Sequence, residues 1–126
     1  MKQFQSLSDS EMEVMQAVWS SQGPVTTGEM VERFSDKGWK IQTVATFLTR
    51  LVEKGVLKVE KQGRGNLYSP ALTPEGYRRR EARNMIDTMY HGSMLDFMAA
   101  FYGGDGVDKR EAAELRRWFE QEMGEE

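Results

Sequence analysis

Apolar residues recur at helical spacing along the first third of the chain and predict three short helices separated by tight breaks. The first helix has Met12, Met15 and Val18 on one side, which predicts a single buried stripe. The first two helices each begin with a Ser/Thr-x-x-Glu capping box. The predicted bounds are Ser8 to Gln22-Gly23-Pro24 for the first helix, Thr26 to about Gly38 for the second, and about Gln42 to Lys54, before Gly55, for the third.

After the third helix the apolar residues no longer recur at helical spacing, and two β-prone runs predict a hairpin. They cover residues 56–61 and 67–70 and flank a Gly-rich tip at residues 62–66. Thr73-Pro74 is typical of a helix start, and a long amphipathic helix follows it. A further apolar stretch from Met94, a loop at residues 103–106 and a last amphipathic helix after Asp108 complete the pattern.

Three helices followed by a hairpin, within about 65 residues, is the order of a winged helix-turn-helix. We therefore predict a mainly α fold with a small β-hairpin wing. The expected organisation is a winged-helix DNA-binding domain at residues 1–72, followed by C-terminal dimerisation helices at residues 73–126.

The amino-acid composition argues against several kinds of metal site and catalytic site. The 126 residues contain no cysteine and one histidine, His91, which argues against thiolate metal sites, cysteine nucleophiles and a Ser-His-Asp triad. We expect no metal, no cofactor and no enzymatic activity. The chain has no apolar run of about 18 residues, and its first residues lack the apolar core of a signal peptide. We therefore expect a cytoplasmic protein with no direct membrane association.

Charge is unevenly distributed along the chain. The net charge is −4 over residues 1–36, +7 over residues 37–83 and −6 over residues 84–126. A locally positive field is enough to hold phosphates, so the basic middle segment favours a nucleic-acid partner, although an ordinary solvated surface is the alternative.

The third predicted helix divides into an apolar face and a face of small polar residues, as a helix that reads the major groove must. Threonine can offer a methyl group to thymine and a hydroxyl to a base or phosphate, while arginine suits a phosphate or a guanine edge. Cations on the hairpin and just before the third helix would contact the phosphate backbone of the DNA next to the groove. The predicted DNA-binding residues are Lys40, Thr43, Ala45, Thr46, Thr49, Arg50, Lys61 and Arg64.

The last third of the chain carries more large apolar side chains than so short a helical segment can bury alone. A second copy would cover them, and two-fold symmetry would place two reading helices on successive turns of the major groove. Folding back onto the winged helix is an alternative. The predicted dimerisation residues are Met85, Met89, Met94, Phe97, Met98, Phe101, Leu115, Trp118 and Phe119.

Two other functional classes fit the same pattern. One is a winged-helix regulator that senses a small hydrophobic ligand in the C-terminal Met/Phe-rich segment, since methionine adapts to varied shapes. The other is a winged helix that recognises protein, with its basic face against an acidic partner. Such a module would bind DNA no better than any basic surface.

The string Trp-x₃-Thr-x₂-Thr-x-Leu-x-Arg-Leu-x₂-Lys-Gly over residues 39–55, with Val18-Trp19 before it and Tyr68-Ser69-Pro70 after it, resembles the penicillinase-repressor family (the BlaI, MecI and CopY type). The resemblance covers residues 7–70 strongly and the rest only in layout. It implies a homodimeric transcriptional repressor on a short palindromic operator in double-stranded DNA. It also implies that Thr43, Thr46 and Arg50 lie on the reading helix and that the C-terminal helices form the dimer.

The resemblance also implies how repression ends. Copper-responsive relatives use a C-terminal cysteine cluster, and this chain has no cysteine. The β-lactam-responsive relatives are cut at an Asn-Phe bond after a membrane sensor-protease detects the antibiotic. The similar position here is Ala100-Phe101, which differs before the Phe. The expected role is therefore control of β-lactam resistance or a related stress response, relieved by inactivation of the dimer.

Overall fold

The computed structural model describes residues 6–102 and 108–124, and over these it contains six α-helices and one antiparallel hairpin. The chain divides into two compact units, one up to residue 82 and one from residue 83. The elements are α1 (Asp9–Ser20), α2 (Thr27–Arg33), α3 (Ile41–Glu53), β1 (Leu57–Gln62), β2 (Gly65–Pro70), α4 (Pro74–Met89), α5 (Met94–Tyr102) and α6 (Lys109–Met123).

Both predicted capping boxes are formed. The Glu11 amide donates to Ser8 Oγ at 3.2 Å, and the Ser8 amide donates to Glu11 Oε1 at 2.9 Å. Thr26 and Glu29 exchange the equivalent pair at 2.8 and 3.1 Å. Each box satisfies amide groups that the first turn of a helix leaves without an intrahelical partner, so both helices start where the sequence predicts.

The core of the first unit lies where α1, α2 and α3 meet the base of the hairpin. Its side chains are those of the predicted apolar stripes, together with the first residues after α3. Trp19 closes one edge, because its Nε1 donates to the carbonyl of Leu72 at 2.8 Å. The fully buried members are Val14, Met15, Val18, Val44, Leu48, Leu51 and Val56.

The second helix is shorter than predicted. It ends at Arg33, and a single 3-10 turn at Ser35–Lys37 carries the chain to Gly38. The physical reason is the backbone of Phe34, which leaves the helical region (φ −106°, ψ 29°) while its side chain packs into the core. Gly38 has φ 70°, a left-handed conformation that turns the chain toward α3.

The hairpin, hereafter the wing, pairs further toward its tip than predicted. Gln62 pairs with Gly65, so the tip is two residues, Gly63-Arg64, rather than five. Gly63 has φ 61°, the feature of a type II′ turn with glycine at its first central position. At the base, Val25 and Tyr68 exchange two backbone hydrogen bonds, at 2.8 and 2.9 Å, which ties the wing to the segment before α2.

In the second unit, α5 and α6 begin at side-chain caps. Ser93 Oγ accepts from the Asp96 amide at 3.0 Å, and Asp108 Oδ1 accepts from the Glu111 amide at 2.8 Å. Before α5, His91 (φ 53°) and Gly92 (φ 78°) are both left-handed and reverse the chain. The predicted loop at residues 103–106 lies outside the described residues. In the described part of the chain, no helix is long and apolar enough to span a bilayer.

Candidate nucleic-acid interface

An aromatic cluster holds the N-terminal end of α3. The ring of Trp39 lies 5.0 Å from that of Phe34 and 5.1 Å from that of Phe47, and Lys37 Nζ lies 5.4 Å from the Trp39 ring centroid. The next residue, Lys40, is the N-cap, and its exposed side chain makes no capping hydrogen bond. The aromatic packing therefore fixes where α3 begins and leaves the Lys40 ammonium in solvent.

The C-terminal end of α3 closes in a Schellman motif. The Val56 amide donates to the Leu51 carbonyl and the Gly55 amide to that of Val52, both at 3.0 Å. Gly55 takes the left-handed conformation (φ 79°) that this motif requires. Arg80, on α4, donates to the carbonyl of Lys54, so a cation also neutralises the negative end of the helix dipole.

A buried ion pair connects the end of α3 to the start of α1. Lys54 Nζ lies 2.7 Å from Glu11 Oε1 and donates to the Ser6 carbonyl at 3.0 Å. Glu11 is 2% exposed and the Lys54 side chain 16%. Burial raises the pKa of the Glu11 carboxyl, but the hydrogen bonds from Lys54 and Ser8 outweigh it, so the pKa lies below its ordinary value of 4.5. Glu11 thus serves both the capping box of α1 and the anchoring of α3.

The side of α3 away from the core presents the polar face that the sequence predicts. Thr46, Thr49 and Arg50 are exposed, whereas Thr43 and Ala45 are half-buried at the two margins of that face. Thr46 Oγ1 donates to the Gln42 carbonyl at 2.9 Å, so its hydrogen is used within the helix. The Thr46 oxygen can still accept from a base amino group, and its methyl group remains available for contact.

Exposed cations lie on the wing, at the start of α3 and on α3 itself. Lys61 lies at the tip end of β1, and Arg64 is the second residue of the turn. Over residues 6–102 and 108–124, neither of them forms an ion pair, and neither do Lys40 and Arg50. All four side chains are exposed. Exposed cations that form no ion pair are free to contact a phosphate backbone.

One exposed apolar residue of α3 escaped the sequence analysis. Ile41, the first residue of the helix, is 56% exposed. Its spacing from Val44 and Leu48 places it beside the apolar stripe, so periodicity alone assigns it to the core. No signal in the sequence separates Ile41 from a core residue, because its spacing is that of the apolar stripe.

The predicted dimerisation residues differ in exposure. Met85, Met89, Met94, Phe101 and Trp118 are exposed, whereas Phe97, Met98, Leu115 and Phe119 are half-buried. Ring contacts link some of them: Phe97 lies 6.0 Å from Phe101, and Trp118 lies 5.1 Å from Phe119, between ring centroids. The second unit thus leaves a large apolar surface uncovered.

The residues of the predicted cleavage position lie near the end of α5. Ala100 and Phe101 are both exposed and helical.

Sequence and structure comparisons agree with this geometry. The profile of the penicillinase repressor family matches residues 7–121. The penicillinase repressor of Bacillus licheniformis is 29% identical over 122 residues, which cover 96% of this chain and 94% of that protein. The methicillin resistance regulatory protein MecI of Staphylococcus aureus (strain N315) is 24% identical over 110 residues, which cover 87% of this chain and 89% of that protein.

Among solved structures, the DNA-binding domain of the repressor BlaI superposes with a TM-score of 0.53 at 35% identity, covering 61% of this chain and 94% of that domain. The likeness confirms the prediction of a mainly helical winged-helix fold with a hairpin wing. Because the family profile spans nearly the whole sequence, the chain belongs to the penicillinase repressor family of winged-helix repressors.

Proposed function

We propose that this protein is a homodimeric transcriptional repressor that binds a palindromic operator and excludes RNA polymerase from the DNA it covers. The observation that carries the proposal is the exposed face of α3, whose side chains are mostly small and polar, together with four exposed cations on α3 and the wing that form no ion pair in the described structure. Such a surface suits the edge of a base pair flanked by phosphates. Of the relatives named above, one is a penicillinase repressor and one a methicillin resistance regulatory protein.

The dimensions of α3 fit the major groove. Its 13 residues extend about 20 Å, and the groove, about 12 Å wide, admits a single helix. With the core face of α3 against α1 and α2, its outer face enters the groove. Thr46, Thr49 and Arg50 then meet base edges or phosphates, and Thr43 and Ala45 line the margins.

Lys40, Lys61 and Arg64 are proposed to contact the phosphate backbone on either side of α3. These contacts set affinity and register, whereas the α3 face sets sequence preference. Each phosphate contact releases counterions and steepens the salt dependence by about 0.9 in the slope of log K against log [salt]. With Arg50 as a fourth phosphate contact on each protomer, the predicted slope is roughly −7 for a dimer.

The uncovered apolar surface of the second unit supports the dimer. Side chains such as Met89 and Trp118 gain little by facing water, and a second copy offers a surface of the same chemistry. Two linked winged helices then bind two half-sites about one helical turn, or 34 Å, apart. Loss of the dimer removes the effective concentration that one half-site gives the other, so repression ends. Cutting the Ala100-Phe101 bond, within this surface, is a proposed route to that loss.

Fluorescence anisotropy tests the proposal. The protein is titrated onto labelled duplex from upstream of its own gene and onto a scrambled duplex, each over a salt series. We expect a preference of about a thousandfold or more for one sequence and a steep salt slope. Lys109→Ala, which removes one exposed charge from α6, is the control variant and should bind like the wild type. Equal binding to all duplexes, including a randomised pool, would contradict DNA recognition and favour a winged helix that binds protein.

A further inference from the structure

The exposed side of α3 consists of two rows of side chains with different chemistry. Residues four apart on a helix lie above one another on the same side. Gln42, Thr46 and Arg50 form a row of hydrogen-bonding groups. Beside it, Ile41, Ala45 and Thr49 form a row in which every side chain ends in at least one methyl group, and Glu53 ends that row at the C-terminus of α3. The first row suits base nitrogen and oxygen atoms, and the second suits an apolar group on the DNA.

Ile41 is the most exposed large apolar side chain in the described part of the first unit, where Val59 on the wing, at 44%, is the other exposed one. The remaining large apolar side chains there are buried or half-buried. A single exposed aliphatic residue needs no explanation by itself. This one lies at the N-terminal end of the reading helix, the end from which helix-turn-helix proteins contact bases.

The side chain of Ile41 is also suited to a specific contact. Its β-branch restricts χ1 in a helix, so little rotamer freedom is lost when it packs against a ligand. The adjacent half-buried Ala45 leaves room for a close approach, and the first charged group in the row of Ile41 is Glu53, at the opposite end of α3. In the major groove, the apolar group available to such a side chain is the C5-methyl of thymine, which the other three bases lack.

We infer that Ile41 is a specificity-determining residue that contacts the C5-methyl group of one thymine in each operator half-site. This inference rests on the proposed function, because it requires that α3 bind in the major groove. It adds a residue to the recognition surface and assigns the base that this residue selects.

Exchange of thymine for uracil tests this contact, because uracil lacks only the C5-methyl. Duplexes are first enriched from a randomised pool with the wild-type protein. Each thymine of the enriched site is then replaced by uracil, one symmetric pair at a time, and affinities are measured for wild type, Ile41→Ala and Ile41→Val. For the wild type, we expect one symmetric pair of thymines whose replacement weakens binding by about fourfold per half-site. This is the loss expected when one buried methyl group is removed.

The Ile41→Ala variant should lose that sensitivity while other positions keep theirs, and Ile41→Val should retain part of it. Val59→Ala is the matched control and should leave the whole uracil profile unchanged. Thermal unfolding checks that Ile41→Ala, an exposed change to a good helix former, is folded. An Ile41→Ala protein with the wild-type uracil profile would overturn the inference but not the repressor function. Failure to enrich any sequence would instead overturn the proposed function, and the inference with it.

Discussion

Removing the ammonium of Lys54 should destabilise the winged helix far more than removing any exposed ion pair. In Lys54→Met, the methionine keeps most of the apolar stem, but Glu11 loses the partner that lies 2.7 Å from its carboxylate. The carboxylate is 2% exposed, so water cannot replace the ammonium without opening the start of α1.

The burial of this ion pair determines how much unfolding free energy Lys54→Met should lose. Breaking one side of a buried ion pair costs about 3–5 kcal/mol, because the other charge remains buried and uncompensated. Here the Ser8 amide still donates to Glu11, which places the expected loss near the lower end, at about 3 kcal/mol. The exposed pair of Lys37 and Glu13, whose side chains are 37% and 41% exposed, is the matched comparison. Lys37→Met should cost less than about 1 kcal/mol.

Urea unfolding is the assay, followed by fluorescence in a Trp118→Phe background so that Trp19 and Trp39 of the first unit report. The double variant Glu11→Gln/Lys54→Met should recover most of the loss, because it buries no charge and Gln still completes the capping box. The deficit of Lys54→Met should also shrink as the pH falls, because burial without the ammonium raises the pKa of Glu11 in the variant and the carboxyl takes up a proton more readily. A Lys54→Met variant no less stable than Lys37→Met, or a double variant no more stable than the single, would refute the reasoning.

Four further predictions concern the interface, the pH dependence, the dimer and one glycine. Arg50→Ala and Arg64→Ala should each weaken operator binding and reduce the salt slope by about 0.9 per lost phosphate contact and protomer; an unchanged slope would remove that residue from the interface. The lowered pKa of Glu11 contributes stability that is complete above the ordinary carboxyl pKa and is lost as the pH falls through the folded-state pKa. Glu11→Gln should therefore reduce the fall in unfolding free energy as the pH drops below about 4.5, and an unchanged profile would assign that fall to other carboxyls. Phe119→Asp should yield monomers in sedimentation, and dimers would exclude its helix from the interface. Gly55→Ala should cost about 1–2 kcal/mol in urea unfolding, because φ is 79° there; a loss no larger than that of Gly23→Ala would contradict this.

Features that depend on neighbours in sequence were predictable. The capping boxes span three residues, and the stripes that form the core repeat every three or four, so both could be identified from the sequence. The division of α3 into a buried side and a polar side follows in the same way. The exposed DNA-binding candidates therefore lie where the sequence predicts.

Features that depend on tertiary contacts were not predictable. The second role of Glu11 requires Lys54, 43 positions away, and no spacing rule relates them. Ile41 has the period of a core residue, and that period does not predict its 56% exposure. The two-residue tip of the wing depends on pairing up to Gln62, which a Gly-rich sequence leaves open.

The backbone pairing of Val25 with Tyr68 allows opening of the wing to be measured by hydrogen exchange. Each of these residues donates its amide to the other's carbonyl, and they lie 43 positions apart in the chain. A two-stranded hairpin alone is marginally stable in water, so this pairing helps to hold the wing against the helices. Both amides can exchange with deuterium only when the base of the wing separates from the segment before α2. Their exchange rates would therefore measure wing opening separately from unfolding of the helical core, and operator DNA held by the wing would slow both together.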